Sequence, residues 1–92
     1  MVSVVCVYIG FISDIAGGKP EEVINLNGEL TLSILLDLLD NKYPGFKTLY
    51  VDPATHSLVP NRQILITPPG KITLPPSGIN NKIEEWSRVI FL

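Results

Sequence analysis

Between Leu30 and Phe46 the chain reads LTLSILLDLLDNKYPGF. Leu32, Leu35, Leu36, Leu39 and Tyr43 recur at the spacing of one helical face, and Ser33, Asp37 and Asp40 fall off it. The spacing predicts a helix over Leu32–Lys42. Thr31 stands at the N-cap position, where its hydroxyl can accept a free first-turn N–H, and Leu30 before it can pack on Leu35 as a staple. At the other end Lys42 suits the negative pole of the helix, Pro44 drives Tyr43 out of helical geometry and Gly45 supplies the reversal. An apolar stripe of this length needs a sheet to cover it. The helix therefore organises the fold and says nothing of chemistry.

Strands are expected on both sides of it. Val2–Ile9 is rich in β-branched and aromatic residues and ends at Gly10. Both of its faces are apolar, Val4, Cys6 and Tyr8 on one and Val5, Val7 and Ile9 on the other, which fits a central strand or a strand with one sticky face. Phe11–Pro20 holds Gly17, Gly18 and Pro20 and reads as a loop tucked onto the core by Ile12 and Ile15. Glu21–Leu26 then alternates, with Glu22, Ile24 and Leu26 on one face and Val23 on the other, as a strand paired to the first. After the helix, Leu49–Val51 is read as extended and Gln63–Thr67 as a strand, with turns at Asp52-Pro53 and Pro60-Asn61. Ile72–Leu74, between two proline pairs, fits only an edge or a hairpin arm. Lys82–Trp86 is expected to form one turn of helix or a tight bend that buries Ile83 and Trp86, and Arg88–Leu92 to lie inside the sheet beside the first strand. The expectation is an α+β domain over residues 1–92, a mixed sheet with one main helix packed on one face.

Composition narrows the function classes. A chain of 92 residues is long enough for one core, since independent folding becomes doubtful only below roughly 40 residues. Charged residues make up 17% of it, against about 25% in ordinary domains. So thin a charge favours a surface that rests on a protein partner. Seven basic residues against nine acidic ones, without a basic cluster, argue against nucleic-acid binding. The lone Cys6 allows no disulfide within the chain and no thiol-rich metal site, which suits a reducing cytoplasm. Met1–Gly10 lacks a positive n-region and is too short to span a bilayer, which takes about 20 residues, so no membrane association is expected.

A few residues could carry chemistry. Cys6, among apolar neighbours, is expected to be an inert core thiol, and His56, between Thr55 and Ser57, a solvated loop residue without a partner at dyad spacing. Asp37 with Asp40, and Glu84 with Glu85, resemble paired carboxylates but suit a solvated surface equally well. There is no Gly-rich phosphate loop and no His or Cys at ligand spacing, so no cofactor or metal site and no catalytic residue is expected. Trp86, Phe91 and Leu92 are large, apolar and close to the chain end, which makes them candidates for a partner interface, with core packing as the competing role. Ile64 and Ile66 join them as one alternation of a neighbouring strand.

Taken in order, these segments resemble the β-grasp sulfur carriers MoaD and ThiS over nearly the whole chain. Val4–Tyr8 is similar to the family's first strand, and Ile12-Ser13-Asp14-Ile15-Ala16-Gly17 to its leucine-rich turn, although the usual arginine is absent. Glu22–Leu26, Leu30-Thr31 and LLDLLDNKYPGF are similar to its second strand, N-cap and helix ending in Tyr-Pro. Pro68-Pro69-Gly70 stands where Asn-Gly usually follows Ile64-Leu65-Ile66, and the run Asn81–Phe91 lacks the usual Asp-Gly-Asp turn. The resemblance implies a ubiquitin-like fold and a non-catalytic role, either as sulfur carrier for molybdopterin or thiamin synthesis or as a protein modifier. It implies as partners an E1-like adenylating enzyme and a synthase large subunit or a target protein.

In such carriers the last strand continues into a flexible Gly-Gly tail whose carboxylate is adenylated and converted to a thiocarboxylate. Here the sequence stops at Leu92. A carboxylate at the end of a buried strand cannot thread an enzyme channel, so carrier chemistry is expected only if the native chain continues. A β-grasp interaction module without carrier chemistry is the alternative. Leu74-Pro75-Pro76-Ser77-Gly78 imitates the tail but lies mid-chain, and Gly17-Gly18 is read as a turn.

Overall fold

In the computed structural model, which describes residues Met1–Leu92, the leucine stripe is covered as its spacing requires. The main helix, α2, spans Leu32–Lys42, and Leu32, Leu35, Leu36 and Leu39 on it are fully buried. Thr31 Oγ1 accepts the Ile34 N–H at 3.3 Å, and the staple residues Leu30 and Leu35 both enter the core. At the far end Gly45 turns at φ 92°, a conformation open to glycine without a Cβ penalty. The Asp40 carboxylate holds this turn, accepting from the Gly45 N–H at 3.2 Å and the Lys47 N–H at 3.0 Å, while Asp37 pairs with Lys47 Nζ at 2.6 Å. That acidic pair is a helix-end fastener.

Four strands form the sheet that α2 covers: β1 (Val2–Tyr8), β2 (Glu21–Leu26), β5 (Ile64–Thr67) and β6 (Arg88–Phe91), in the order β2-β1-β6-β5. The last strand runs parallel to the first, between β1 and β5, and the other two pairings are antiparallel. Alternation along each strand then divides the side chains. Val4, Cys6 and Tyr8 of β1, Ile64 and Ile66 of β5, and Val89 and Phe91 of β6 face α2 and are buried. The remaining strands, β3 (Val51–Asp52) and β4 (Ser57–Leu58), pair as a separate small hairpin.

Local preferences gave way where tertiary contacts decided the conformation. Part of the expected Phe11–Pro20 loop is a short helix, α1 (Phe11–Ile15). Five residues cannot hold a helix by propensity; buried Ile12 anchors this one, and both the Ser13 N–H and its hydroxyl bind the Gly10 carbonyl, at 3.1 and 2.9 Å. Lys47–Leu49 is a 3₁₀ turn, with only Val51–Asp52 extended after it. Ile72–Leu74 reaches the sheet through a single bridge in which Ile66 and Leu74 exchange backbone hydrogen bonds of 2.9 and 3.0 Å. In the bend before β6 Ile83 is buried, but Trp86 stays 55% exposed at φ 64°, against the expectation that both go inside.

An ionic knot ties the open end of the sheet to the helix. Glu22 sits on the helix-facing side of β2, its side chain only 9% exposed. Its carboxylate accepts from Tyr8 Oη, Tyr43 Oη and Lys42 Nζ, each at 2.7 Å, with Lys19 Nζ at 3.5 Å. Burial alone would raise the Glu22 pKa, but the hydrogen bonds from Lys42, Tyr8 and Tyr43 outweigh it and hold the carboxyl down at about 2. β1, β2 and the end of α2 thus meet on one anion. Because the folded-state pKa lies below the ordinary 4.5, the stabilisation is complete above that value and drains away as pH falls toward about 2. Glu22→Gln should cost about 2 kcal/mol at neutral pH and flatten the acid limb of the unfolding curve. Denaturant titrations between pH 2 and 7 check this, and an unchanged acid limb would contradict it.

Candidate functional site

The side chains that α2 does not cover form an apolar sheet face. Val7 stands opposite Ile90 and Ile90 opposite Leu65, giving one apolar row across three strands. A second row runs from Val23 through Val5 to Arg88 and Thr67. Val23 is 49% exposed and Val5, Val7, Leu65 and Ile90 are half-buried. Arg88 Nη2 meets Glu21 Oε2 at 3.1 Å across the face. Branched aliphatic side chains at the centre with a charged pair among them make a surface suited to a protein partner.

Of the five residues expected at a partner interface, three lie in the core and two on the surface. Ile64, Ile66 and Phe91 are 4%, 5% and 0% exposed and belong to the core. Register explains their burial, since Ile64 pairs with Phe91 on the helix-facing side and a one-residue offset exchanges the faces of a strand. Phe91 packs its ring against Phe46, Tyr50 and Tyr8, with centroids 5.1, 5.3 and 5.9 Å away. Their neighbours Leu65 and Ile90 take the outward positions. Trp86 and Leu92 are both exposed, at 55% and 37%.

The end of β6 is fastened more firmly than its length suggests. The Ile9 N–H donates to the Phe91 carbonyl and the Leu92 N–H to the Gln63 carbonyl, both at 3.0 Å, and Tyr50 Oη donates to the Leu92 carbonyl at 3.2 Å. Burial pushes the Tyr50 phenol up to about 12, so it remains a donor at neutral pH. Chain that continues past Leu92 leaves from a fixed point at the margin of the apolar face.

The remaining candidates separate into structural and peripheral. Cys6 is fully buried, and burial followed by the nearby Glu22 charge raises its thiol to about 12, which removes its nucleophilic form. His56 lies in the exposed turn between β3 and β4 at φ 56°, and Glu84 pairs with Lys71 at 3.1 Å. The Glu22 knot is not evident as a unit in the sequence. Its one visible sign there is an acidic residue sharing a face with Ile24 and Leu26.

No protein-family model matches the chain, and no curated protein matches it significantly by sequence. Solved structures do resemble it. Small archaeal modifier protein 1 of H. volcanii superposes with a TM-score of 0.71 at 12% identity, covering 99% of this chain and 95% of that one. A molybdopterin converting factor subunit 1 from Pyrococcus furiosus gives 0.70 at 18% identity, with the same coverages of 99% and 95%. CysO of Mycobacterium tuberculosis gives 0.65 at 19%, covering 97% and 96%. The chain has the ubiquitin-like β-grasp fold. The expected α+β architecture is therefore the one found, and this β-grasp keeps its uncovered sheet face apolar. Ile90→Asp should preserve the circular dichroism spectrum and abolish capture of a protein partner, whereas Phe91→Asp should unfold the domain, at a cost of more than about 4 kcal/mol. Partner capture by folded Ile90→Asp at the wild-type level would rule this face out as an interface.

Proposed function

We propose that this protein is a carrier or modifier of the ubiquitin-like kind, whose C-terminus is the reactive group and whose outer sheet face is its docking surface. One observation carries the reading. The final strand lies inside the sheet and delivers Leu92, held by Gln63 and Tyr50, at the edge of the Val5–Val7–Leu65–Ile90 face. A partner seated on that face has the departing chain within reach.

Under this reading the protein is a substrate and carrier in the cytoplasm, and catalysis belongs to its partners. An E1-like enzyme adenylates the terminal carboxylate with ATP. A sulfide-level donor, or an amine of a target protein, then attacks the acyl adenylate and AMP leaves, giving a thiocarboxylate or an amide. The chemistry requires a flexible extension beyond Leu92 that ends in residues without Cβ, since only a narrow strand of chain fits an enclosed active site. The protein contributes position: a rigid exit point and an apolar face that orients it on the enzyme. No helix is long and apolar enough to cross a membrane.

A second reading, an interaction module without carrier chemistry, draws support from the proline-flanked arm, where Ile72 and Leu74 are 73% and 56% exposed. Intact mass of the native gene product separates the two readings after incubation with the host's E1-like enzyme, ATP and a sulfur donor. A carrier should prove longer than 92 residues and gain the mass difference between sulfur and oxygen. A native chain ending at Leu92 that gains nothing contradicts carrier chemistry and leaves the module.

A further inference from the structure

Six of the seven Lys and Arg side chains in this protein have a carboxylate within 4 Å: Lys19 and Lys42 meet Glu22, and Lys47, Lys71, Lys82 and Arg88 meet Asp37, Glu84, Glu29 and Glu21. Arg62 alone has none. Its guanidinium carbon lies 4.4 Å from the centre of the Phe11 ring, a cation–π contact that holds the charge over the ring. Arg62 is half-buried, so its charge is less screened than that of a lysine in open water. A half-buried guanidinium without an anion is an interaction left open.

Its surroundings limit what can close it. Beside Arg62 is a notch of about 130 Å³ lined by Tyr50, Leu58, Gln63, Ile64, Pro75 and Pro76. Pockets for cofactors and drug-sized ligands run from about 300 to 1,000 Å³, so a nucleotide does not fit and a single side chain does. Leu58, Ile64, Pro75 and Pro76 make much of the lining aliphatic and Arg62 is the one cation in it, which matches a carboxylate on an aliphatic stem. Two of the lining residues, Tyr50 and Gln63, are also those that hold Leu92. The notch therefore adjoins the point where the chain ends at Leu92.

We propose that Arg62 and its notch receive an acidic side chain of the protein that binds the end of this chain. The carrier reading supplies only the identity of that protein, the adenylating enzyme. Guanidinium geometry makes the contact specific, because the planar fork can stack on Phe11 and present two parallel N–H groups to a carboxylate at once, which a lysine cannot do.

Two measurements test the proposal separately from the reading it builds on. In the first, the isotopically labelled chain is titrated with a hexaglutamate peptide and followed by NMR. The Arg62 side-chain N–H and the Phe11 and Gln63 amides should shift in the wild type and stay in place in Arg62→Gln. Shifts absent from these sites, or equal in the variant, overturn the proposal. In the second, the native full-length protein is assayed with its adenylating enzyme. Arg62→Gln should raise KM about tenfold with kcat unchanged and reduce the salt dependence of binding, Arg62→Glu should be weaker still, and Arg62→Lys should recover only part of the loss. All three should remain folded at the assay temperature, since Arg62 makes no ion pair within the fold and the Gln and Glu variants lose only its contact with Phe11. Unchanged KM in Arg62→Gln and Arg62→Glu overturns the assignment to that enzyme. If the wild type is not adenylated at all, the carrier reading and this partner both fall, and the peptide titration alone decides whether the notch takes a carboxylate.

Discussion

Burial of one helical stripe against one sheet face underlies every other feature of this protein. Leu32, Leu35, Leu36 and Leu39 leave water together with Val4, Cys6, Val89 and Phe91, each large aliphatic side chain contributing about 2 kcal/mol. A sheet with one long helix across it has one covered face. The inward set is fixed by the helix, so the outward set, Val5, Val7, Val23, Leu65 and Ile90, follows from strand alternation with no further freedom. The apolar character of that outward set makes the fold informative about function, since water gives no reason for three valines, a leucine and an isoleucine to gather there.

Two fastenings keep this arrangement in register at opposite places. The Glu22 carboxylate gathers Tyr8, Tyr43 and Lys42 and locks the β2 edge to the end of α2. At the β6 end, Tyr50 and Gln63 hold both backbone groups of Leu92. The first preserves the frame and the second fixes where the chain points. Between them the aromatic rings of Tyr8, Phe46, Tyr50 and Phe91 pack edge-on and stacked at centroid distances from 5.1 to 5.9 Å, linking the knot to the strand end through continuous contact.

How far the sequence spoke differed with the range of the forces involved. The α2 boundaries, Thr31 as its cap and the β2 strand were legible because capping and periodicity are local. Helix α1 was not, because a five-residue helix exists only through the burial of Ile12. The burial of Ile64, Ile66 and Phe91 was not legible for a related reason. Alternation separates Ile64 and Ile66 from Leu65, and Phe91 from Ile90, but it cannot say which set meets α2 when both are apolar. Trp86 defied its hydrophobicity because the turn closed by the Ser87 N–H on the Glu84 carbonyl leaves it outside. Arg62 carried no sequence signal at all, since its isolation is visible only once the six other cations have found their carboxylates.

If the uncovered sheet face docks the protein while the chain end is handled beside it, a partner must shield both at once. Hydrogen exchange of the native protein, alone and saturated with the E1-like enzyme proposed as its partner, addresses this most directly. Exchange should slow along β5 and β6 and at Gln63 and Leu92, with the exposed side of α2 unchanged. Protection confined to α2, or none on the sheet, would contradict a docking role for this face.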